Sequence, residues 1–242
     1  MVYAEDKEFE DDILSSGYHI AVPVQIEKKS GGELKTIAYS FAIKKAEEFE
    51  KLFGNDPFSD EAVSFLHENI GSVMGQMEFD YEHAADRLYY EYRCTAPDTS
   101  KIIDCTEIID TLDGVDYEES LELDAFELDP DNKIDRMAVI RNEDGKVICY
   151  AGLDDISDND GLLEITVECS EEYRHRGYAT SCVSKLTEYL ISLGEGVKYV
   201  CENDNVYSKM TAAAAGYDLY KTVLPYVCYK GGRDGSEEDD ED

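Results

Sequence analysis

Alternating apolar and polar positions in the first hundred residues predict a β-hairpin followed by a helix. β-Branched residues alternate with others over 19–26 and again over 36–43, and a Gly-Gly turn lies between the two segments. Such alternation is typical of strands that bury one face. Residues 59–77 instead keep helical spacing behind Ser59, a candidate N-cap. We therefore expect an α+β module in residues 1–100.

Beyond a candidate boundary at 96–100, the pattern predicts a longer series of strands and helices. Short apolar pairs alternate with acidic residues over 104–135, where we expect helices and loops. The Asp-Gly dipeptide at 144–145 then favours a hairpin, because such a dipeptide suits a tight two-residue turn. The predicted order β-β-β-α-β-α-β-β has a hairpin over 135–155, a strand over 162–168, a helix over 177–193, a strand over 197–201, a helix over 205–215 and a last hairpin around Pro225.

Composition adds a strong negative charge to this picture. The 242 residues include 56 Asp and Glu but only 22 Lys and Arg, so the formal net charge is −34. A charge of this sign argues against a nucleic-acid partner and against an anionic membrane surface. A cationic partner, high solubility and adaptation to salt are all compatible with it.

The charge is unevenly distributed along the chain. Residues 161–232 carry 9 acidic and 7 basic residues and are nearly neutral, whereas residues 1–160 carry 40 acidic and 14 basic residues. The last ten residues, 233–242, carry 7 acidic residues and 1 basic residue. Such a block repels itself, so we expect a disordered acidic tail.

The sequence gives no sign of export or of a membrane anchor. Its first residues lack the basic start and apolar run of a signal peptide. No stretch approaches the roughly 18 apolar residues of a membrane span. The seven Cys form no C-x-x-C pair, which argues against a zinc site or a disulfide framework, and the four His are scattered, so no metal site is predicted. We expect a cytoplasmic protein with buried thiols.

The segment between the third strand and its helix is a candidate anion site. The backbone N–H groups at a helix start are unpaired, and the helix dipole favours negative charge there. Gly177 and Ala179 would let a phosphate approach the backbone, and Arg174 and Arg176 add positive charge in an otherwise acidic chain. An ordinary basic helix start is the alternative interpretation.

Two motifs together resemble the GCN5-related N-acetyltransferase (GNAT) superfamily. Arg-x-x-Gly-x-Ala, from Arg174 to Ala179, looks like the acyl-CoA pyrophosphate loop of that family. Asn-x-x-Ser at Asn205 and Ser208, followed by an Ala-rich helix and Gly-Tyr, resembles its second signature. The resemblance is clear over about 135–230. It implies a mixed α+β protein with a GNAT acyl-CoA-binding fold in its C-terminal half.

The resemblance also implies a domain organisation. Residues 101–232 would form the GNAT N-acetyltransferase domain. Residues 1–100 would be an added N-terminal α+β module that shapes the acceptor side or is itself a degenerate GNAT-like half.

Acetyl-CoA is the cofactor that the resemblance implies, as acyl donor. The loop backbone and an arginine would hold its diphosphate, the strand at 162–169 would pair with its pantetheine arm, and the Asn-x-x-Ser motif would contact the lower arm. The implied cofactor-binding residues are Val167, Cys169, Arg174, His175, Arg176, Gly177, Tyr178, Ala179, Thr180, Asn205 and Ser208.

Acetyl transfer to an amine requires a group that takes the proton of the amine. On the strand at 162–168, an apolar set alternates with a polar set that includes Glu164 and Glu168. We expect the apolar set to face the core and the polar set to face the acceptor. Since many family members use a Glu on this strand, Glu164 is the first candidate base and Glu168 the second. A solvated strand face is the alternative for both.

The acid that would assist the leaving thiolate is not assigned by the sequence. Many family members place a Tyr seven residues after the Asn of the second motif, where this chain has Ala212. Tyr207 and Tyr217 are possible substitutes, although either could serve only in packing.

The leading hypothesis is an acetyl-CoA-dependent N-acetyltransferase that acts by direct attack in a ternary complex. Its acceptor would be a primary amine on a cationic small molecule or basic peptide. The alternatives are a catalytically silent GNAT-like acyl-CoA-binding regulatory module and a protein-interaction role of the acidic surface. The oligomeric state is not predicted.

Overall fold

The computed structural model describes residues 20–76, 81–84, 88–110, 136–154 and 160–230. The expectations for the extreme N-terminus, for most of 104–135 and for the acidic tail therefore lie outside the described residues. The chain forms two compact units, of which the first comprises 1–89 and 221–242 and the second comprises 90–220. The predicted ranges were 1–100 and 101–232, and the return of the chain to the first unit at Lys221 accounts for the difference at the C-terminal end.

The first unit contains a small antiparallel sheet and two helices. Strand β1 pairs with β2 on one side and with β10 on the other, while β3 pairs with the end of β10. Ser59 caps the second helix as predicted, since its Oγ accepts the Ala62 N–H at 3.3 Å. The elements are β1 (Ile20–Lys29), β2 (Leu34–Ala38), α1 (Ile43–Phe53), α2 (Asp60–Gln76), β3 (Tyr81–Ala84) and β10 (Asp218–Lys230), of which β10 enters this unit at Lys221.

Two predictions for these elements were wrong. The strand expected over 36–43 ends at Ala38, and a 3-10 turn leads into α1, because Ala42, Ala46 and Phe49 bury their side chains at helical spacing. The hairpin expected around Pro225 is one continuous strand that pairs with β1. A strand can hold a proline where the missing N–H is not needed for pairing.

The second unit is a mixed sheet that carries two helices. Its strands lie in the order β4-β9-β8-β7-β6-β5, with β8 and β9 parallel and β5 to β8 antiparallel. The elements are β4 (Tyr89–Cys94), β5 (Glu107–Asp110), β6 (Arg136–Arg141), β7 (Val147–Leu153), β8 (Leu162–Cys169), α3 (Tyr178–Ser192), β9 (Gly196–Glu202) and α4 (Val206–Ala214).

The core of this unit lies between the sheet and its helices. Cys182, Leu186 and Leu190 of α3 are fully buried in one cluster with Ile165 of β8 and Tyr199 of β9. Leu163 and Val167 pack against the same cluster, which confirms that the apolar set of β8 faces the core. The mixed α+β fold class is therefore as predicted.

Candidate functional site

Strands β8 and β9 separate part of the way along their length. Their parallel pairing runs from Leu162 with Gly196 to Glu164 with Lys198. Strand β8 then continues to Cys169 and β9 to Glu202. Beyond the paired positions the backbone of β8 has an edge that pairing with β9 does not occupy. An extended ligand with amide groups could pair with such an edge.

The loop that joins β8 to α3 has an unusual backbone conformation. Gly177, the N-cap residue of α3, has φ +81°, and His175 has φ +62° and is the one non-glycine with positive φ in the described part of the chain. Glycine adopts this region without strain, whereas other residues are strained in it. Gly177 brings no side chain that could cap α3, so the N–H groups of the first turn remain available to an anion.

The two arginines of this loop are held by the strand end and the turn before it. Arg174 Nε donates to the carbonyl of Cys169 at 3.1 Å, and Nη1 of the same side chain lies 3.4 Å from Glu171 Oε1. Arg176 Nη2 donates to the carbonyl of Glu172 at 3.0 Å. Both cations therefore have defined positions near the start of α3 although they lie at the surface.

The Asn-x-x-Ser motif forms the start of α4. Asn205 is its N-cap, and its Oδ1 accepts the Ser208 N–H at 3.0 Å. The Ser208 hydroxyl in turn lies 2.8 Å from the Tyr199 hydroxyl on β9. The motif thus orders the first turn of α4 and links it to the strand beneath.

A cavity of about 720 Å³ joins these features. Its wall contains ten of the eleven predicted cofactor-binding residues, and Arg176 is the one that lies outside it. Glu168 is also part of the wall. The lining residues are Val167, Glu168, Cys169, Tyr173, Arg174, His175, Gly177, Tyr178, Ala179, Thr180, Tyr199, Asn205, Tyr207, Ser208, Met210, Thr211 and Ala214.

Cys169 lies opposite Cys149 of β7 in the antiparallel ladder. Its hydrogen bond to Cys149 and its burial raise the pKa of the Cys169 thiol. This cavity residue is therefore a neutral thiol at physiological pH.

Glu164, the first candidate base, does not line this cavity. Glu164 has its Oε2 3.5 Å from the ammonium of Lys198, which is fully buried. It stands at the last paired position of β8 and β9, on the face of β8 that does not contain Val167. Glu168 is on the same face but further along β8, and it lines the cavity, whereas Glu164 does not.

The candidate acids have different surroundings. Ala212 is fully buried, and its methyl group has no acidic proton to donate. Tyr217 is also in the core, where its hydroxyl lies 2.6 Å from Thr187 Oγ1. Tyr207 lines the cavity and is 70% exposed, with its ring centroid 5.3 Å from that of His175. Of the two tyrosines considered from the sequence, only Tyr207 reaches the cavity.

Several lining residues were not singled out from the sequence. Tyr199 is the most notable, because its hydroxyl pairs with a motif residue. Met210 and Ala214 follow Tyr207 at the spacing of one helix face. That spacing could have indicated the cavity side of α4, whereas nothing in the sequence distinguishes Tyr199 among 18 tyrosines.

Neither a metal centre nor a membrane span is evident in the described ranges. In them, no three His, Cys, Asp or Glu side chains approach closely enough to hold a metal ion. No helix in the same part of the chain has the length and apolar character needed to cross a membrane.

Comparison with known proteins gives one family match and several distant structural matches. Residues 102–217 match the model of the Acetyltransferase (GNAT) family. A GCN5-related N-acetyltransferase-like protein from Streptococcus suis matches with 16% identity and a TM-score of 0.43, over 64% of this chain and 67% of that chain. An acetyltransferase from the GNAT family from Colwellia psychrerythraea matches with 12% identity and a TM-score of 0.41, over 67% of this chain and 61% of that one.

A tandem GNAT protein from the clavulanic acid biosynthesis pathway matches with 12% identity and a TM-score of 0.45, over 68% of this chain and 59% of that chain. No curated protein matches this chain. The range matched by the family model contains the loop before α3, the whole of α3 and β9, and the Asn-x-x-Ser motif of α4. The match to the GNAT acetyltransferase family thus extends over residues 102–217, the part of the chain that contains this cavity wall.

Proposed function

We propose that this protein is an acetyl-CoA-dependent N-acetyltransferase that acetylates a primary amine of a cationic acceptor by direct attack in a ternary complex. The match of residues 102–217 to the GNAT family supports acyl-CoA-dependent acetyl transfer in general. The observation that carries the proposal is the single cavity wall to which the loop before α3, the end of β8 and the start of α4 all contribute.

The chemistry of this wall fits an acyl-CoA. The start of α3 offers backbone N–H groups without a side-chain cap, and Arg174 adds a cation beside them. Both features suit a diphosphate. His175 and Gly177 both have positive φ, and apart from Gly177 and its two chain neighbours no protein atom would lie within 4 Å of a Cβ at Gly177. A phosphate can therefore approach the backbone there.

The separation of β8 and β9 suits the pantetheine arm. Backbone groups near Val167 and Cys169 would pair with its amides, and Asn205 and Ser208 would contact it from α4. When bound, acetyl-CoA supplies the activated acetyl group as a thioester. The residues of this chain bind and orient it.

The base must act from the acceptor side of β8. Glu164 is the first candidate because it lies where the two strands part and its carboxylate is held by Lys198. Glu168 is the second candidate, further along the same face. Either carboxylate would take the proton of the attacking amine.

A cationic acceptor follows from the charge distribution. The cofactor segment, 161–232, is nearly neutral, whereas residues 1–160 hold most of the acidic excess. An amine that is protonated in solution is attracted to an acidic surface. We therefore propose that the acceptor carries positive charge.

The proposal is tested by binding first and turnover second. Isothermal titration should show acetyl-CoA binding, and Arg174→Ala should weaken it about tenfold, as expected for one lost charge-assisted contact. Arg141→Ala, at a hairpin outside the cavity wall, is the matched control. Release of CoA thiol should then identify acceptors in a panel of polyamines, amino sugars and basic peptides.

Each outcome has a distinct meaning. Acetyl-CoA binding without acetylation of any amine would favour a silent acyl-CoA-binding module. An absence of binding, with no effect of Arg174→Ala, would overturn the proposal.

A further inference from the structure

Tyr199 lies on β9 just beyond the segment that pairs with β8, and its hydroxyl extends to α4. It directly follows Lys198, the last residue of β9 that pairs with β8. The residue is 2% exposed, and it forms part of the cavity wall. Its hydroxyl lies 2.8 Å from Ser208 Oγ on α4. The Tyr199 side chain therefore contributes to the wall of the cavity in which acetyl-CoA is proposed to bind.

The Tyr199 hydroxyl reaches the part of α4 that a long side chain at position 212 would cover. Ala212 lies one helical turn after Ser208 on α4 and is fully buried. Long side chains on a helix lean toward its N-terminus, so a tyrosine at 212 would cover the turn that carries Ser208. Tyr199 reaches that same turn from the neighbouring strand.

We propose that Tyr199 donates a hydrogen bond to the sulfur atom that leaves during acetyl transfer, with Ser208 holding the phenol in position. The inference rests on the proposed function, since it requires an acyl-CoA in the cavity. It assigns a catalytic residue to the role that the sequence left open.

The protonation state of Tyr199 defines what it can do. Burial raises the pKa of Tyr199 to about 12, although the hydrogen bond with Ser208 opposes this shift. The phenol therefore keeps its proton at neutral pH, while a thiol with a pKa of about 8.5 is the stronger acid. Tyr199 stabilises developing negative charge on sulfur without giving up its proton.

The balance of the step follows from this assignment. The amine nitrogen bonds to the thioester carbonyl carbon, the carbon–sulfur bond breaks, and its electron pair moves to sulfur. The proton that the amine loses passes through the base or solvent and is the proton that the thiol gains. Tyr199 is unchanged at the end, with its hydroxyl again shared with Ser208.

A second buried tyrosine offers a matched control. The Tyr217 ring centroid lies 5.9 Å from that of Tyr199, and its hydroxyl likewise pairs with a hydroxyl, that of Thr187. Burial also raises the pKa of Tyr217. Tyr217 is not part of the cavity wall. Tyr199→Phe and Tyr217→Phe thus remove the same atom from similar surroundings, and only the first removal concerns the cavity.

The first measurement needs no turnover. Isothermal titration compares CoA with desulfo-CoA, which lacks the sulfur atom, at pH 7 and pH 9. For the wild type and Tyr217→Phe, we expect a preference for CoA that grows to about fivefold or more as the thiol ionises. For Tyr199→Phe we expect little or no preference at either pH. Ser208→Ala should weaken the preference in part.

The second measurement is kinetic. Tyr199→Phe should lower kcat about tenfold or more with an acetyl-CoA Kd close to that of the wild type, which is the pattern of a contact made mainly in the transition state. Tyr217→Phe should leave kcat within about twofold.

The outcomes separate this inference from the proposed function. An unchanged CoA preference in both Tyr199→Phe and Ser208→Ala would overturn the assignment even if the enzyme is active. Suppose that Tyr199→Phe loses the preference and that no amine is acetylated. This result would support the hydrogen bond between Tyr199 and sulfur but would contradict the proposed transferase activity. Equal loss of preference in Tyr199→Phe and Tyr217→Phe would mean that the effect is structural, and would also overturn the assignment.

Discussion

The ammonium of Lys198 lies 3.5 Å from Oε2 of Glu164, in the interior of the second unit. Asp160 is the second carboxylate near this lysine, with Oδ1 at 3.7 Å, and its Oδ2 lies 3.7 Å from Arg93 Nη2. Arg93 also donates to the buried Glu91 at 2.8 Å. Since Glu91 and Arg93 precede the range 102–217 matched by the family model, residues outside the family domain complete the polar surroundings of its candidate base.

Lys198→Met should destabilise the protein strongly. The substitution removes the buried cation that lies beside Glu164 and Asp160, whose side chains are 14% and 29% exposed. Removal of one partner from a fully buried ion pair costs about 3–5 kcal/mol, and the partial exposure of these carboxylates lowers the expected loss to about 2–3 kcal/mol. Urea unfolding measures the loss. Adding Glu164→Gln to Lys198→Met should restore part of it, because one unpaired charge disappears.

Lys185→Met is the control for this prediction. It removes an ion pair with Glu188 on α3 whose side chains are 33% and 44% exposed, and an exposed pair contributes less than about 1 kcal/mol. Similar losses for the two lysine variants would contradict a special role of the buried pair.

Gly177→Ala should weaken acetyl-CoA binding more than its effect on stability suggests. The residue has φ +81°, and beyond its two chain neighbours no protein atom lies within 4 Å of the position that a Cβ would take. Alanine there therefore costs about 1–2 kcal/mol for the backbone conformation alone. The added methyl group would also stand where a phosphate approaches, and we expect about a tenfold loss of affinity. Thermal unfolding and isothermal titration measure the two effects.

Gly145 provides a close control, since its φ is also +81° and its surroundings are also open. It lies in the turn between β6 and β7, outside the cavity wall. Gly145→Ala should lose similar stability and keep the wild-type affinity. Equal affinities in both alanine variants would argue against phosphate binding at Gly177.

Glu164→Gln should lower kcat about a hundredfold or more, as expected when a general base is removed, while the acetyl-CoA Kd changes little. Glu168→Gln is the matched variant, because it removes the same charge from the same face of β8. We expect a smaller loss of kcat in Glu168→Gln. The reverse order would assign the base to Glu168.

The free energy of unfolding should fall at alkaline pH because the phenol of Tyr199 is buried. Its folded-state pKa of about 12 exceeds the 10.0 of an ordinary tyrosine. The unfolded chain therefore releases this proton first, so stability is full below pH 10 and falls as the pH rises toward 12. The two-unit difference corresponds to about 3 kcal/mol for this one group.

Urea unfolding between pH 9 and 11.5 tests this expectation. The free energy of unfolding of Tyr199→Phe should fall less steeply with pH than that of the wild type, by the contribution of one proton. Parallel curves for the two proteins would contradict the raised pKa.

Local patterns predicted the elements around the site well. The strand over 162–168 and the helix over 177–193 correspond to β8 and α3 within one or two residues, because an alternating segment, a glycine and a helical apolar face follow one another in the sequence. The motif at Asn205 and Ser208 likewise begins α4. These signals are carried by residues close in the chain.

The errors came from contacts between distant residues. β10 is a single strand because it pairs with β1, so that Gln25 lies opposite Pro225 across about two hundred residues of sequence. The burial of Lys198 depends on its register with Glu164 and on the nearby Asp160. The residues next to a lysine in a strand do not indicate whether such distant partners exist. The role proposed for the Tyr199 hydroxyl likewise depends on its short distance from Ser208, which only the folded structure shows.

The return of β10 to the first unit has a consequence for synthesis. Chains emerge from the ribosome N-terminus first, and domains generally fold as they emerge. All residues of the second unit, 90–220, emerge before residue 221, whereas β1 must wait for its β10 neighbour. The unit that begins the sequence is thus completed last, and until then the β10-pairing edge of β1 is open to wrong partners. Translation pauses before residue 221 would lengthen that exposure.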